Sequence, residues 1–329
     1  MKYLFSLLLV ALLLNGCGDS STETVSKTDV DEIPRSVDKP SKPKDWNESE
    51  LKSTIVKSGN SLSENELNKE KREDLSDYSE ISRIQAILKK ANPDYRGQGK
   101  IHEEDGKIIA AEFPSCGLKD LSPLRGLKLQ ALDLSGNPVR EIRHLRGMPL
   151  TRLFLEYTLV ESLEELREAK LVELRLNGSP VRSLAGLEGQ PLENLYAVGT
   201  QINNISALSS SNLRQLWLTE SPVTDLSPLE GLPLVSLTAH RTLVEDLSFV
   251  RKLPLLQRLH IGETLITDLS PLGGLNLTRL VFTPGRIERG IEVTRSLSNL
   301  REIGTKFDDQ GRDLMPPEAF WAQFNPSEN

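Results

Sequence analysis

Apolar pairs written L-x-L begin at Leu132, Leu153, Leu174, Leu195, Leu216, Leu237, Leu259 and Leu280. The steps between them are five of 21 residues, then one of 22 and one of 21. Where the second Leu is missing, Ala197, Ala239, Ile261 or Phe282 holds its place. Five positions after each pair another apolar residue recurs: Val139, Val160, Val181, Ile202, Val223, Val244, Ile266 and Ile287. A fixed period in this range marks a solenoid, in which each unit packs only against its neighbours.

The chemistry of one unit follows from its residues. L-x-L is a short strand with both apolar side chains inward, stacked about 4.8 Å from the next in a parallel sheet. The stretches "LKDLSPLRGLKL" (118–129), "VTDLSPLEGLPL" (223–234) and "ITDLSPLGGLNL" (266–277) write the other half of the coil. In them Ser is expected to cap a helical turn, with Pro at the first helical position, where its missing N–H costs nothing. Gly126, Gly231 and Gly274 can end that turn in a left-handed conformation. One coil cannot bury its own leucines, so the unit has to repeat. Aromatics are only 5% of the residues, so the core is aliphatic.

This pattern resembles the leucine-rich repeats of the short bacterial class found in internalins, over residues 109–285. The resemblance implies an α/β solenoid: a parallel concave sheet, short helical or 3-10 turns on the convex side, and a cap at each end. The Asn that usually follows the strand in that family stands once, at Asn137. Thr158, Ser179, Thr200, Ser221, Thr242 and Thr264 take its place elsewhere, and their hydroxyls can still bond to nearby backbone. "LKKANPDYRGQGKIHEEDGKI" before the repeats and "LREIGTKFDDQGRDLMPPEAFWAQF" after them resemble the caps of a bacterial domain seen in lipoproteins or attached to serine/threonine kinases. No kinase motif accompanies them: a Gly-rich phosphate loop, H-R-D and D-F-G are all lacking.

Outside the repeats the chain divides into four expected segments. Residues 1–16 read as a signal peptide, with Lys2 ahead of an apolar run from Leu4 to Leu14 that is too short to span a bilayer. The run ends in Leu14-Asn15-Gly16-Cys17, which resembles the bacterial lipobox and implies a lipid on Cys17. From there to residue 76, Ser, Thr, Lys, Asp, Glu and Pro dominate, a composition that reads as a flexible tether. Residues 77–108 are expected to form an N-terminal cap. Asp77 and Glu80 open a helix in capping-box fashion, Asn92-Pro93 stops it, and a hairpin turns at Asp105-Gly106. Residues 286–329 are expected to form the C-terminal cap and tail, with Phe320, Trp321 and Phe324 covering the last coil. Cys116 reads as a small core hydrophobe.

The residues between the paired inward positions are Asp133, Phe154, Arg175, Tyr196, Trp217, Thr238, His260 and Val281, expected to be the central exposed row of the concave face. Beside them lie Ala131, Arg152, Glu173, Asn194, Gln215, Ser236, Arg258 and Arg279. Large aromatics with Arg between them are the residue types that dominate interface energetics. The expected binding surface is therefore Phe154, Arg175, Tyr196, Trp217 and His260, flanked by Arg152 and Gln215. Its expected partner is a protein, with a glycan as the second choice, and the chain is expected to be a monomer held in the bacterial cell envelope by its lipid. A non-binding spacer and an accessory sensor for a kinase are the rival roles.

Other chemistry finds little support. A net charge of −7 without a Lys/Arg block argues against nucleic acid. His240 and His260 fall on adjacent strands, but no third ligand joins them for a zinc site. Asp133 and Glu156 are neighbours that a hydrolase would use, yet an open face seldom supplies the pocket that shifts carboxyl pKa values. The chain is expected to be no enzyme, with neither cofactor nor metal.

Overall fold

In a computed structural model of the chain, residues 79–306 and 313–324 are described. The signal peptide, Cys17 and the tether lie outside them. One sheet of eleven strands runs through the molecule in strict sequence order. Its strands are β1 (Lys100–Glu104), β2 (Lys107–Glu112), β3 (Ala131–Asp133), β4 (Arg152–Phe154), β5 (Glu173–Arg175), β6 (Asn194–Tyr196), β7 (Gln215–Trp217), β8 (Ser236–Thr238), β9 (Arg258–His260), β10 (Arg279–Val281) and β11 (Glu302–Gly304). Among these eleven strands only β1 and β2 pair antiparallel, around the Asp105-Gly106 turn, where both residues have positive φ. From β2 onward every pairing is parallel, and the repeat sets the register: Leu195 lies opposite Leu216, and Leu216 opposite Leu237. Ile303 in β11 continues the same inward row one coil beyond Leu280.

The inward pairs form a single aliphatic core along the solenoid. Leu174, Leu195, Leu216, Leu237, Leu259 and Leu280 are completely buried, as are Leu176, Ala197, Leu218 and Ala239. Removing such a leucine leaves a cavity that neighbouring coils cannot fill, because each is fixed by its own strand. The convex side carries short 3-10 helices in most coils, among them the single turns Ser122–Leu124, Ser227–Leu229 and Ser270–Leu272. Gly126, Gly231 and Gly274 follow these turns with φ of 87°, 79° and 82°, as the sequence requires.

Two capping assignments change. Ser in "DLSPL" is the first residue of the 3-10 turn and does not cap it; the Asp two places earlier does. Asp120 Oδ1 accepts from Ser122 N at 2.8 Å and Oδ2 from the Ser122 hydroxyl at 2.9 Å. The arrangement recurs at Asp225 and Asp246, and Asp268 accepts the same backbone bond from Ser270. Hydrogen bonds from these serines hold the carboxyls of Asp120, Asp246 and Asp268 below the usual range. A carboxylate accepts more strongly than a hydroxyl, which is why Asp wins the position. Similarly, helix α1 (Glu80–Ala91) is capped by Ser79, whose hydroxyl accepts from Ser82 N at 3.2 Å, while Asp77 lies outside the described residues.

Asn92 does more than stop α1. Its amide donates to Leu88 O and Asp120 O, while its Oδ1 accepts from the backbone of Lys119 and Asp120 at 2.7 and 2.8 Å. One buried side chain thus ties the helix to the first coil. At the other end, α2 (Pro317–Gln323) sets Phe320 against Phe282, 5.9 Å between ring centroids. Trp321 and Phe324 pack around Phe320 at 5.0 and 4.7 Å, closing the core with aromatic rings. Met315 pairs antiparallel with Ile303, covering the edge of β11.

The position after the strand divides into two kinds. Asn137 bridges coils: its Oδ1 accepts from Leu118 N at 2.9 Å and its amide donates to Phe113 O and Leu134 O. Thr158, Ser179, Thr200, Ser221, Thr242 and Thr264 each donate to the carbonyl three residues back in their own coil, at 2.6–3.0 Å. The hydroxyls close the turn but cannot reach across it. Beside this ladder, backbone bonds run from coil to coil, as in Gly136 N to Glu156 O and Gly199 N to Thr219 O.

Candidate functional site on the concave sheet

Strand alternation turns the residues between the inward pairs onto the concave face, but it does not expose them equally. Phe154 is only 5% exposed, a correction to its place in an exposed row. The Arg175 guanidinium lies 4.4 Å from the centre of its ring and shields it from water. Asp133, Thr238 and Val281 in the same row, with Ala131 and Ser236 beside it, are buried as well. Thr238 sits between partly exposed Trp217 and His260, and two large side chains flanking a small one close over it.

The arrangement around β4–β7 is a stack. Arg175 lies between two rings, Phe154 on one side and Tyr196 at 5.2 Å on the other. Tyr196 meets Trp217 edge to face, with centroids 5.5 Å apart and planes at 63°. Each such ring pair contributes about 0.5–1.5 kcal/mol beyond its buried area. Glu173 Oε1 accepts from Arg175 Nε at 2.8 Å and fixes the guanidinium edge-on. The Tyr196 hydroxyl donates to Gln215 Oε1 at 3.2 Å. The fold therefore brings Phe154, Arg175, Tyr196, Trp217 and Gln215 into one continuous ribbon. Arg152 adjoins it on β4, half-buried, and burial lowers its pKa while the Glu173 carboxylate opposes that shift. His260 lies two strands beyond Trp217, on the far side of Thr238.

Electrostatics differ along the face. Burial raises the pKa of Glu156, opposed by the Asn177 amide, which donates to its Oε1 at 2.6 Å, and by the Arg175 charge. Burial also raises the Tyr196 phenol. The His260 pKa falls to about 4, first through burial and then through the charges of Arg279, His240 and Arg258. His240 moves in the same direction, again led by burial. Both imidazoles are therefore neutral at pH 7. Among the described residues no group of three or more His, Cys, Asp or Glu is arranged to hold a metal ion.

One feature of the site's border was not anticipated from the sequence. The residue before Asn137 and before each hydroxyl of the ladder has left-handed backbone: Gly136, Gly178 and Gly199, but also Tyr157, Glu220, Arg241 and Glu263 with φ of 54–60°. Three of these non-glycine residues form a charged ladder, with Arg241 bonded to Glu220 at 2.8 Å and to Glu263 at 2.9 Å. The recurring glycines at that place carry the signal, which the Tyr, Glu and Arg substitutions hide.

No protein-family model matches the chain, nor does any curated protein. Solved structures do. An internalin (inlF) from Listeria monocytogenes shares 25% identity and a TM-score of 0.54 over 59% of this chain and 61% of its own. Internalin C2 (inlC2) from the same bacterium shares 26% identity and a TM-score of 0.54 over 61% of this chain and 92% of its own. The chain thus spans less than two thirds of the first of these internalins. Sheet order, period and convex 3-10 turns agree with that likeness, and the fold of this chain is a leucine-rich-repeat solenoid similar to the internalins.

Proposed function

We propose that this protein binds another protein through its concave sheet, and that it does so as a lipid-anchored component of the bacterial cell envelope. The observation that carries the binding role is the Arg175–Tyr196–Trp217 stack. Its Arg and Tyr members are held by hydrogen bonds to Glu173 and Gln215, its Trp packs edge to face on the Tyr, and the Tyr and Trp are partly open to solvent. Aromatic and Arg side chains fixed before contact lose little further freedom on binding, so their buried area converts efficiently to affinity. A spacer has no use for such a surface, because cross-strand packing of the buried row would suffice. The role is non-catalytic: Glu156 is bonded to Asn177 and faces an open sheet. The anchor rests on Leu14-Asn15-Gly16-Cys17 alone, and the domain limits follow the sequence reading.

Quantitative capture from envelope extract tests the binding role. The full chain should recover a protein that the folded Tyr196→Ala/Trp217→Ala variant loses. Equal recovery by both would leave only the spacer. Labelled palmitate tests the anchor: it should enter the chain and be lost in Cys17→Ala, and no incorporation would remove the membrane from the account.

A further inference from the structure

The two halves of the concave face carry opposite charge. On β2–β5, with the turn just after β4, four carboxylates, Glu112, Asp133, Glu156 and Glu173, stand against two guanidiniums, Arg152 and Arg175. These acids already have partners: Glu112 bonds His102 at 2.7 Å, Asp133 the Ser135 backbone, Glu156 Asn177 and Glu173 Arg175. From β7 onward the balance reverses. Arg258 and Arg279 lie side by side on β9 and β10, with Arg214 and Arg301 just ahead of β7 and β11. Arg279 pairs with Glu302 at 2.6 Å. Among the described residues, no carboxylate comes within ion-pairing distance of Arg214 or Arg258. In a chain of net charge −7, uncompensated cations on this face are conspicuous.

Arg258 is the better placed of the two. It is half-buried, beside the small Ser236 of β8, and its charge is felt at both the Tyr196 phenol and the His260 imidazole. A guanidinium thus stands two strands beyond Trp217, across the small Ser236 and Thr238, with no carboxylate among the described residues within ion-pairing distance. His260 stays neutral and adds no competing cation.

We propose that the partner presents an extended polypeptide segment with an acidic side chain close to an apolar one. The apolar side chain lies on Tyr196 and Trp217, and the carboxylate meets Arg258, with Arg214 as a second cation. This rests on the concave-face reading and adds the chemistry of the partner. A polyanionic glycan fits less well, since it needs a run of open cations and Arg279 is already neutralised by Glu302.

The test selects short random peptides on the full chain and measures their Kd by fluorescence anisotropy. The selected peptides should carry Asp or Glu near a Leu, Ile, Phe or Trp. Their affinity should fall about tenfold or more in Arg258→Glu, less in Arg258→Gln, and about tenfold or more in Trp217→Ala. Both Arg258 variants must keep the parental thermal melt, and Arg258→Gln serves if the reversal does not. Peptides that lose affinity in Trp217→Ala but bind both Arg258 variants fully would overturn the acidic partner while leaving the concave face in use. Peptides indifferent to all three variants, or no enrichment at all, would overturn both readings. Dextran sulfate that displaces the peptides and binds Trp217→Ala undiminished would replace the acidic peptide with a general polyanion.

Discussion

The inward row and the concave row come from the same strands, and their residues alternate along the chain. Leu195 and Leu216 are buried completely and could exchange places without consequence. Tyr196 and Trp217, each one residue further on, sit in an arrangement found at no other coil among the described residues. The inward row is uniform because every coil meets the same environment, two neighbouring coils of the same shape. The concave row varies because what covers a residue there is whichever side chain the adjacent strands supply. Periodic positions thus hold the solenoid together, and aperiodic ones give it an identity.

The sharpest way to break this contrast is to make the inward row behave individually. Leu174→Ala and Leu237→Ala should each cost about 2–5 kcal/mol in urea unfolding, and by similar amounts. Losses under about 1 kcal/mol at either site would mean that the coils relax around the cavity. A smaller effect separates the two kinds of ladder residue. Asn137→Ala leaves buried backbone groups of two coils without partners and should cost about 2–3 kcal/mol. Thr200→Val removes one hydroxyl bond within its own coil and should cost about 1 kcal/mol. Equal costs would show that Asn137 does not bridge coils in solution.

Titration distinguishes the far end of the concave row. His260 is held near pKa 4 in the folded protein against 6.5 for an ordinary imidazole. The unfolded chain therefore binds more protons between those values, so stability falls as pH drops from 6.5 toward 4. His260→Gln should flatten part of that slope; the remainder belongs to His240, whose pKa is also lowered, and toward pH 4 to carboxyls held low, such as those of Asp120, Asp246 and Asp268. An unchanged slope would place His260 in water. The smallest effect concerns the border of the site. Left-handed backbone costs a non-glycine residue about 1–2 kcal/mol, whereas an exposed ion pair contributes about 0–1. Glu220→Gly should therefore raise the unfolding midpoint slightly despite losing its bond to Arg241, and a lower midpoint would mean that the charged ladder outweighs the strain.

How far the sequence could be read follows the same division. Leu132 through Leu280 declare the strands, the register and the core, since a period is visible without knowing any neighbour. Asp105-Gly106 declares the hairpin for the same reason: its chemistry is local. Phe154 does not declare its burial, because that depends on Arg175 lying a whole coil later in the chain and folding back over its ring. Thr238 is hidden by Trp217 and His260, again each about one coil away. The capping Asp of "DLSPL" was legible in principle, two residues before the Ser, but Ser and Pro offered a simpler account of the same turn. Asn92 read as a helix stop, and its four bonds to two segments emerge only once α1 is set against the first coil.

The central claim is that adjacent residues on one strand have separate tasks, and Leu216 and Trp217 test it most directly. Urea unfolding of the two alanine variants should show Leu216→Ala losing about 2–5 kcal/mol and Trp217→Ala about 1, the loss of its ring pair with Tyr196. If Trp217→Ala destabilises the protein as much as Leu216→Ala, the concave row is a second core and not a surface kept for a partner.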